Sequence, residues 1–258
     1  MRIVVLMKPV PDTTGQERLS AEFRLDRSTP AVVNANDEYA LEAALKLTEA
    51  HGGDVTLLTM APPQAPETMR KALAMGAQRG VLISDPALAG SCTLSTARVL
   101  AAALAQLEFD LVIAGADTSD GGGGIVPAGV AAILGLAFLS NAGSIEPLDG
   151  TVRVQRLGPT GYELLEAPLP ALVVATQALG EPRYPSLKGI MGARSREIVT
   201  HTLADLGLAD SAIGGAAATT RVLEARPPAA RAATRVIRDS APVAAREIAD
   251  FLASRRII

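Results

Sequence analysis

Residues 110–135 read DLVIAGADTSDGGGGIVPAGVAAILG, and this stretch decides the predicted fold. The apolar run over 110–115 has the length of a buried strand, and the run over 127–135 suits a helix. Four consecutive glycines lie between them at 121–124. A strand followed by a helix places the connecting loop at the carboxyl end of a parallel strand, where open α/β sheets bind their ligands.

The alternation of strand and helix continues toward the N-terminus. Strands are predicted over 2–7, 55–59 and 80–84, and helices over 36–50, 66–77 and 95–107. In the first helix Asn36 is the expected N-cap, and Leu41 and Leu45 share one face. Alternating elements joined by short polar turns indicate an α/β fold with a mostly parallel, twisted sheet flanked by helices.

The pattern changes after residue 150. Two apolar stretches, 151–157 and 161–176, read as strands with no long helix between them, which predicts antiparallel additions to the sheet. Residues 181–198 contain two prolines and many charges, and they are predicted to form a loop.

The C-terminal part has the composition of an extension arm. Residues 212–235 are rich in Ala, Gly and Pro, as in a linker, and 240–255 predict an amphipathic helix capped by Ser240. A helix reached through a long linker either folds back on its own domain or reaches a partner chain. We therefore expect an α/β domain over 1–211 and an arm with its helix over 212–258.

Composition limits the classes of function. The chain has 258 residues, 48% of them hydrophobic and 3% aromatic, with a net charge of −3, which disfavours nucleic acid as the main partner. The single cysteine, Cys92, excludes an internal disulfide framework and a multi-cysteine metal site. Since no secretory signal and no apolar run of membrane-spanning length are found, we expect a soluble, cytoplasmic protein that is not inserted in a membrane.

Candidate catalytic residues are few. Nothing in the sequence pairs His51 or His201 with a nucleophile, and Cys92 has no base nearby along the chain. The motifs HExxH, GxSxG and CxxC do not occur. No catalytic residue and no metal ligand is therefore assigned.

The glycine run matches neither of the common phosphate-binding motifs. No lysine follows it as a Walker A motif requires, and a dinucleotide fingerprint would follow the first strand instead. One interpretation is that the backbone amides of 121–124 and of the next helix cradle a phosphate; the alternative is a flexible loop tip. Asp117 and Asp120 would repel a phosphate if they pointed inward, or they could accept hydrogen bonds from ribose hydroxyls or loop amides.

Several stretches together resemble one family. They are VVLMKPVPDT (4–13), NANDEYALEAAL (34–45), ETMRKALAMGAQRG (67–80), the opening stretch (110–135) and EPRYPSLKGIMGARSREI (181–198). The chain resembles the beta subunit of electron-transferring flavoproteins, most closely the actinobacterial versions. The resemblance extends nearly without gaps from residue 1 to about 207.

This resemblance implies a fold, a function, cofactors and partners. The fold is a Rossmann-like, adenine-nucleotide-binding α/β domain. The function is that of an electron carrier, and not of an enzyme, because the redox chemistry belongs to an FAD shared with an alpha subunit. The heterodimer takes electrons from flavin-dependent dehydrogenases of the acyl-CoA type and passes them to a membrane quinone reductase. The beta subunit itself holds AMP, or a second FAD in electron-bifurcating relatives.

The resemblance also implies site residues. By position, the nucleotide pocket consists of Leu6, Asn34, Ala35, Asn36, Asp37, Met60, Gly115, Asp117, Ser119, Asp120, Gly121, Gly122, Gly123, Gly124, Ile125 and Val126. The dehydrogenase-docking residues are Tyr184, Leu187, Ile190 and Met191, with Leu187 as the apolar anchor. Gly123 and Ile125 stand where many members have Thr and Gln, which leaves backbone amides as the phosphate donors. Thr13 occupies an often aromatic position near the flavin, so no stacking residue is assigned.

Two other functions compete with the carrier subunit. One is a stand-alone adenylate-forming or ATP-hydrolysing enzyme of the same nucleotide-binding superfamily, which would need Lys, Arg or a metal carboxylate at the phosphates. The other is a nucleotide-sensing protein with no redox role. A yellow flavin spectrum in a stable two-chain complex distinguishes the carrier from both.

Overall fold

The structure is a computed structural model that describes residues 1–12, 18–27, 30–209, 212–226 and 234–258. Thr13, residues 210–211 and part of the predicted linker lie outside these ranges. The chain divides into two compact units, Met1–Leu223 and Glu224–Ile258. The functional boundary expected after residue 211 stays a prediction.

The larger unit alternates strands and helices along most of its length. Its strands are β1 (Arg2–Leu6), β2 (Pro9–Pro11), β3 (Ala31–Val33), β4 (Asp54–Met60), β5 (Arg79–Ile83), β6 (Leu111–Gly115), β7 (Ala137–Pro147), β8 (Thr151–Gly158), β9 (Gly161–Pro168), β10 (Ala171–Ala175) and β11 (Ile198–His201). Its helices are α1 (Ala35–His51), α2 (Pro66–Met75), α3 (Thr93–Leu104), α4 (Val126–Leu134) and α5 (Leu187–Ala193).

Nine of these strands form one sheet in the order β11-β5-β4-β1-β6-β10-β7-β8-β9. Every neighbouring pair from β11 to β7 is parallel, and the pairs β7–β8 and β8–β9 are antiparallel. The remaining strands, β2 and β3, pair antiparallel with each other. The predicted α/β class with a mostly parallel sheet is confirmed.

Two apolar cores lie on the two faces of the sheet. Side chains alternate along each strand, so Val5 packs with the cluster that holds α1 and α2, whereas Val4 packs with the one that holds α3 and α4. Leu41 and Leu45 of α1 are buried, as their shared face predicted. Helix α1 is preceded by Asn34 as its N-cap, so the expected cap at Asn36 was wrong by two residues.

Two expectations about the second half of the chain were wrong. Antiparallel addition holds for β8 and β9, but β10 inserts between β6 and β7 and runs parallel to both. The stretch 181–198 is not all loop, because Ser186 caps the short helix α5 by accepting a hydrogen bond from the Gly189 amide. Pattern reading missed α5 because its seven residues include two glycines and an apolar side that is exposed.

The start of the predicted linker belongs to the larger unit. Ile213 is buried, and the amide of Gly214 donates to the Ser95 hydroxyl near the start of α3 at 2.9 Å. In the smaller unit the expected helix is present as α6 (Ala241–Ser254), preceded by Ser240, and none of its side chains is buried. Within the described ranges, no helix combines the length and the apolar character that crossing a membrane requires.

Candidate nucleotide site and docking surface

The predicted nucleotide-pocket residues meet at the carboxyl edge of the sheet. Strands β1 and β6 are parallel neighbours, with Leu6 opposite Ala114, so both end at the same level. Helix α1 begins beside them. A side chain at Gly115 would collide with the Asp37 carboxylate and would stand 2.6 Å from the carbonyl carbon of Asn36. Glycine at 115 therefore allows the start of α1 to lie directly against the end of β6.

Two asparagines attach the loop after β6 to the start of α1. The buried side-chain amide of Asn34 donates to the Asp117 carbonyl at 2.8 Å, and its oxygen accepts from the Ser119 amide at 3.2 Å. Asn36 donates to the Asp117 carboxylate. The carboxylate of Asp117 thus accepts a bond from a side-chain amide, not from a loop amide.

Asp37 is a buried carboxyl at the centre of this edge. It accepts a hydrogen bond from the Lys8 backbone amide at 2.8 Å. Burial raises the pKa of Asp37 to about 7, against the opposing effects of the Lys8 amide, the Asn34 side chain and the Gly115 amide. Asp37 therefore ties the chain after β1 and the end of β6 to the first turn of α1.

Only part of the glycine run is open to a ligand. The amides of Gly121 and Gly122 both donate to the Thr118 carbonyl, at 3.2 Å and 2.7 Å, in a turn. For the amides of Gly123 and Gly124, the described residues supply no hydrogen-bond acceptor. These two amides come directly before α4, which is where an anion is favoured.

The shape of the run also requires glycine. Gly122 and Gly124 have φ of +56° and +60°, values that favour glycine, and a Cβ added at Gly122 or Gly123 would meet open space. Within the glycine run, the amides of Gly123 and Gly124 are therefore the ones that could donate to an anion near the first turn of α4.

Although no lysine follows the glycine run in the sequence, a lysine from a distant segment reaches the loop. Lys8 Nζ lies 2.7 Å from Asp120 Oδ1, and an Arg27 nitrogen lies 2.6 Å from Asp120 Oδ2. The Asp120 side chain is only 2% exposed. Burial, the largest single effect, acts to raise the pKa of Asp120, but the hydrogen bond and charge of Lys8, with hydrogen bonds from Arg27 and Thr118, bring it below its usual value. Local motif searches miss Lys8 because it lies 112 residues from Asp120 along the chain.

The apolar members of the predicted pocket belong to one cluster. Leu6 is buried in the core on the α3 and α4 face, and Met60 and Val126 pack against the same core. Ile125, just before α4, is exposed, as are Ala35 and Ser119. The predicted pocket residues thus include buried apolar side chains of this core and polar groups of the loop.

The predicted docking residues form an exposed apolar patch. Tyr184 is 96% exposed, Leu187 75%, Met191 66% and Ile190 47%. A side chain at Gly189 would collide with the Ala74 carbonyl of α2, so glycine lets α5 pack closely on α2. Leu187, Ile190 and Met191 therefore stand on a helix that packs against α2, and Tyr184 precedes that helix.

Three arginines bind α5 and the residues on either side of it to helices α1 and α2. Arg70 of α2 donates to the Ala193 carbonyl at the end of α5 at 2.7 Å, and Arg196 donates to the Leu73 carbonyl at 2.6 Å. On the other side, Arg183 pairs with two glutamates of α1. We call Tyr184, Leu187, Ile190 and Met191 the docking patch.

The remaining candidate residues do not assemble a catalytic group. Cys92 precedes α3, partly exposed, and amide bonds led by that of Ser95 lower its pKa to about 7. Its side-chain neighbour is the Thr219 hydroxyl at 3.6 Å, which is not a base. His201 lies in β11. No cluster of metal-ligating side chains occurs among the described residues.

Comparison with known proteins agrees with this architecture. The family described as electron transfer flavoprotein domain matches residues 23–206. The chain is 39% identical to electron transfer flavoprotein subunit beta of Mycobacterium leprae (strain TN), over 99% of both chains. It is 35% identical to the Clostridium acetobutylicum subunit of the same name, over 86% of each. It is 36% identical to caffeyl-CoA reductase-Etf complex subunit CarD of Acetobacterium woodii, over 90% of this chain and 89% of that one.

The mostly parallel α/β sheet is consistent with the electron transfer flavoprotein domain, and the matches to this domain and to subunits named beta identify an electron-transfer subunit. The chain belongs to the electron transfer flavoprotein family, and the matches named subunit beta extend over its full length. The resemblance drawn from the sequence is confirmed.

Proposed function

We propose that this chain pairs with an electron transfer flavoprotein alpha subunit, and that the two carry electrons from flavin-dependent dehydrogenases of the acyl-CoA type to a membrane quinone reductase. The observation that carries this proposal is the full-length similarity to subunits named beta. The name of the Acetobacterium woodii relative, a subunit of a complex with a reductase of a CoA thioester, supports the acyl-CoA class of partner.

FAD would supply the redox chemistry, and most of its site would belong to the alpha subunit. This chain's part is to hold surfaces in place. Three residues of the docking patch stand on α5, which is bound to α2, and Tyr184 follows Arg183, which is bound to α1, so little conformational entropy is lost when a dehydrogenase docks. Leu187 is the proposed anchor, because a single apolar side chain seated in a partner pocket can dominate binding.

The carboxyl edge is proposed to hold an adenine nucleotide, AMP in the simplest case or a second FAD if the complex bifurcates electrons. The residues fit such a group: the amides of Gly123 and Gly124, near the start of α4, have no hydrogen-bond acceptor among the described residues, and a Cβ at Gly123 would meet nothing within 4 Å. Asp120, which would repel a phosphate, is paired with two cations.

A stand-alone ATP-using enzyme or nucleotide-binding protein is not favoured. Such an enzyme needs a free cation or a metal at the transferred phosphate. Lys8 is paired with Asp120, and the described residues contain no metal-ligating cluster. A cytoplasmic location is part of the proposal and agrees with the use of a single cysteine.

Co-expression of this chain with an electron transfer flavoprotein alpha subunit tests the proposal. We expect a stable two-chain complex with a flavin absorbance spectrum, whose flavin is reduced by an acyl-CoA substrate in the presence of its dehydrogenase. This chain expressed alone serves as the control and should hold little flavin. A chain that remains monomeric and colourless beside its partner would contradict the proposed function.

A further inference from the structure

We propose that Lys8 and Arg27 are positioning residues of the nucleotide site, which hold Asp120 and cancel its charge so that the glycine loop can accept a phosphate. This inference rests on the proposed adenine-nucleotide site, and it assigns a role to two residues that local sequence motifs do not reveal.

The problem that these residues solve is electrostatic. Asp120 comes directly before the glycine run, and Gly123 is only three residues further along the chain. A carboxylate and a phosphate a few ångströms apart repel each other. Water and salt screen that repulsion only in part when the groups are poorly solvated. An unpaired Asp120 would therefore oppose any anion at the open amides.

The structure answers this with one cation for each carboxylate oxygen. Lys8 Nζ bonds to Oδ1 at 2.7 Å and an Arg27 nitrogen bonds to Oδ2 at 2.6 Å. With two positive charges and one negative charge, the group carries a net charge of +1. The Lys8 and Arg27 side chains are still 37% and 36% exposed, so the two cations remain partly accessible to solvent.

The position of Lys8 is itself fixed. Its backbone amide bonds to the buried Asp37 carboxyl, and its Nζ lies 3.4 Å from the Thr118 hydroxyl within the loop. It also lies 3.7 Å from the point where a Cβ at Gly121 would stand. The backbone of Lys8 is thus held by α1, and its ammonium group lies against Thr118 and Asp120 beside the glycine run.

The test compares ligands and variants that differ only in charge. Complexes of this chain with its alpha partner, freed of nucleotide, are titrated with AMP and with uncharged adenosine. The variants are Lys8→Met, Asp120→Asn, the double variant Lys8→Met/Asp120→Asn, and Arg27→Gln as a second way to remove one cation. Lys46→Met is the matched control, because Lys46 also pairs with a buried carboxylate, that of Glu42, but on α1 away from the loop.

AMP affinity should follow the net charge of the group. Lys8→Met and Arg27→Gln bring it to zero, and we expect AMP to bind at least about tenfold more weakly at low salt while adenosine binding changes less than about twofold. Asp120→Asn raises the charge to +2 and should bind AMP at least as tightly as the wild type. The double variant returns to +1 and should recover most of the AMP affinity. Lys46→Met should bind both ligands as the wild type does.

Each departure from this pattern has a distinct meaning. Equal loss of AMP and adenosine in both single-cation variants would show a purely structural role and overturn the inference. Failure of Asp120→Asn to restore AMP binding to Lys8→Met would show that Lys8 contacts the phosphate itself, which also overturns it. Wild-type-like AMP binding in both Lys8→Met and Arg27→Gln overturns this inference alone, whereas a wild type that binds no AMP overturns the proposed nucleotide site as well.

Discussion

Arg183 joins the docking segment to helix α1 by donating from its backbone and its side chain to one carboxylate, that of Glu42. Its amide lies 3.1 Å and its Nε 2.7 Å from Glu42 Oε2, and a terminal nitrogen lies 3.1 Å from Oε1. A second carboxylate, that of Glu49, binds the same guanidinium. The Glu42 side chain is 5% exposed and that of Arg183 is 32% exposed, so the carboxylate is withdrawn from solvent and the guanidinium only in part. Because Arg183 directly precedes Tyr184, this contact sets where the docking patch begins.

Arg183→Ala should loosen that patch and destabilise the fold. The variant leaves the buried Glu42 carboxylate with Lys46 at 3.6 Å as its remaining ion-pair partner, so we expect the free energy of unfolding to fall by about 2 kcal/mol. Half-maximal electron transfer should need a higher dehydrogenase concentration, measured by steady-state titration. Adding Glu42→Gln should restore stability but not docking; a double variant that docks normally would show that Arg183 acts only through stability.

Leu187→Ala should weaken docking without disturbing the fold. The side chain is 75% exposed, so its truncation leaves no cavity. We expect unchanged nucleotide content, flavin content and melting temperature, and about a tenfold or greater rise in the dehydrogenase concentration for half-maximal electron transfer, which corresponds to about 1.4 kcal/mol. Leu19→Ala, at a half-exposed leucine elsewhere, is the control. Identical titration curves for Leu187→Ala and wild type would remove the anchor role.

Gly123→Val should remove the nucleotide and leave the fold intact. A Cβ at this position meets open space and the backbone needs no positive φ, so the new side chain can act only by occupying the ligand's space. Acid extraction and chromatography should find most of the adenine nucleotide lost, and added AMP should no longer raise the melting temperature as it does for the wild type.

Two further glycine variants serve as comparisons for Gly123→Val. Gly122→Val carries the additional strain of φ +56°, so it should be less stable than Gly123→Val even without nucleotide. Gly158→Val, on the hairpin, is the control and should retain its nucleotide. If Gly123→Val keeps full occupancy, the open amides are not the cradle.

Deleting residues 238–258 should weaken assembly with the alpha subunit while the α/β unit stays folded. Helix α6 has no buried residue, and Ile248 and Phe251 are each about half exposed on one side of it, which is the arrangement of a helix that binds a partner. We expect a lower yield of the alpha subunit on co-purification and a larger dissociation constant for the two-chain complex. Phe251→Asp should reproduce part of the loss and Ala253→Asp should not; full-strength assembly of the truncated chain would mean that the helix serves its own chain.

The stability of this protein should depend on pH through Asp37. Its folded-state pKa, about 7, lies above the value of 3.8 for a free aspartate. The stabilisation associated with its protonated form is therefore fully present below about pH 4 and is lost as the pH rises toward 7. Denaturant unfolding of wild type and Asp37→Asn across this range should give a difference that changes by at least about 1 kcal/mol. A difference independent of pH would show that the pKa of Asp37 is the same in the folded and unfolded states, which contradicts the prediction.

Local order along the chain was largely predictable from the sequence. The run of strand, glycines and helix at 110–135 requires only neighbouring residues, and β6 and α4 appear where it predicted them. Leu187 is exposed, in agreement with its place in a stretch that was predicted to be a charged, proline-containing loop. The orientation of β10 did not follow, because an apolar run of five buried residues is compatible with a parallel or an antiparallel neighbour.

The sequence by itself determined the alternation of elements, the family and the place of the glycine loop, because periodicity and short motifs are properties of adjacent residues. Only the tertiary structure decided which side chains meet there. Lys8 and Arg27 reach Asp120 across 112 and 93 residues of chain, and no local pattern records that convergence. The same holds for Arg183 and Glu42, 141 residues apart. Such contacts depend on the order in which strands enter the sheet, which brings distant segments to the same edge.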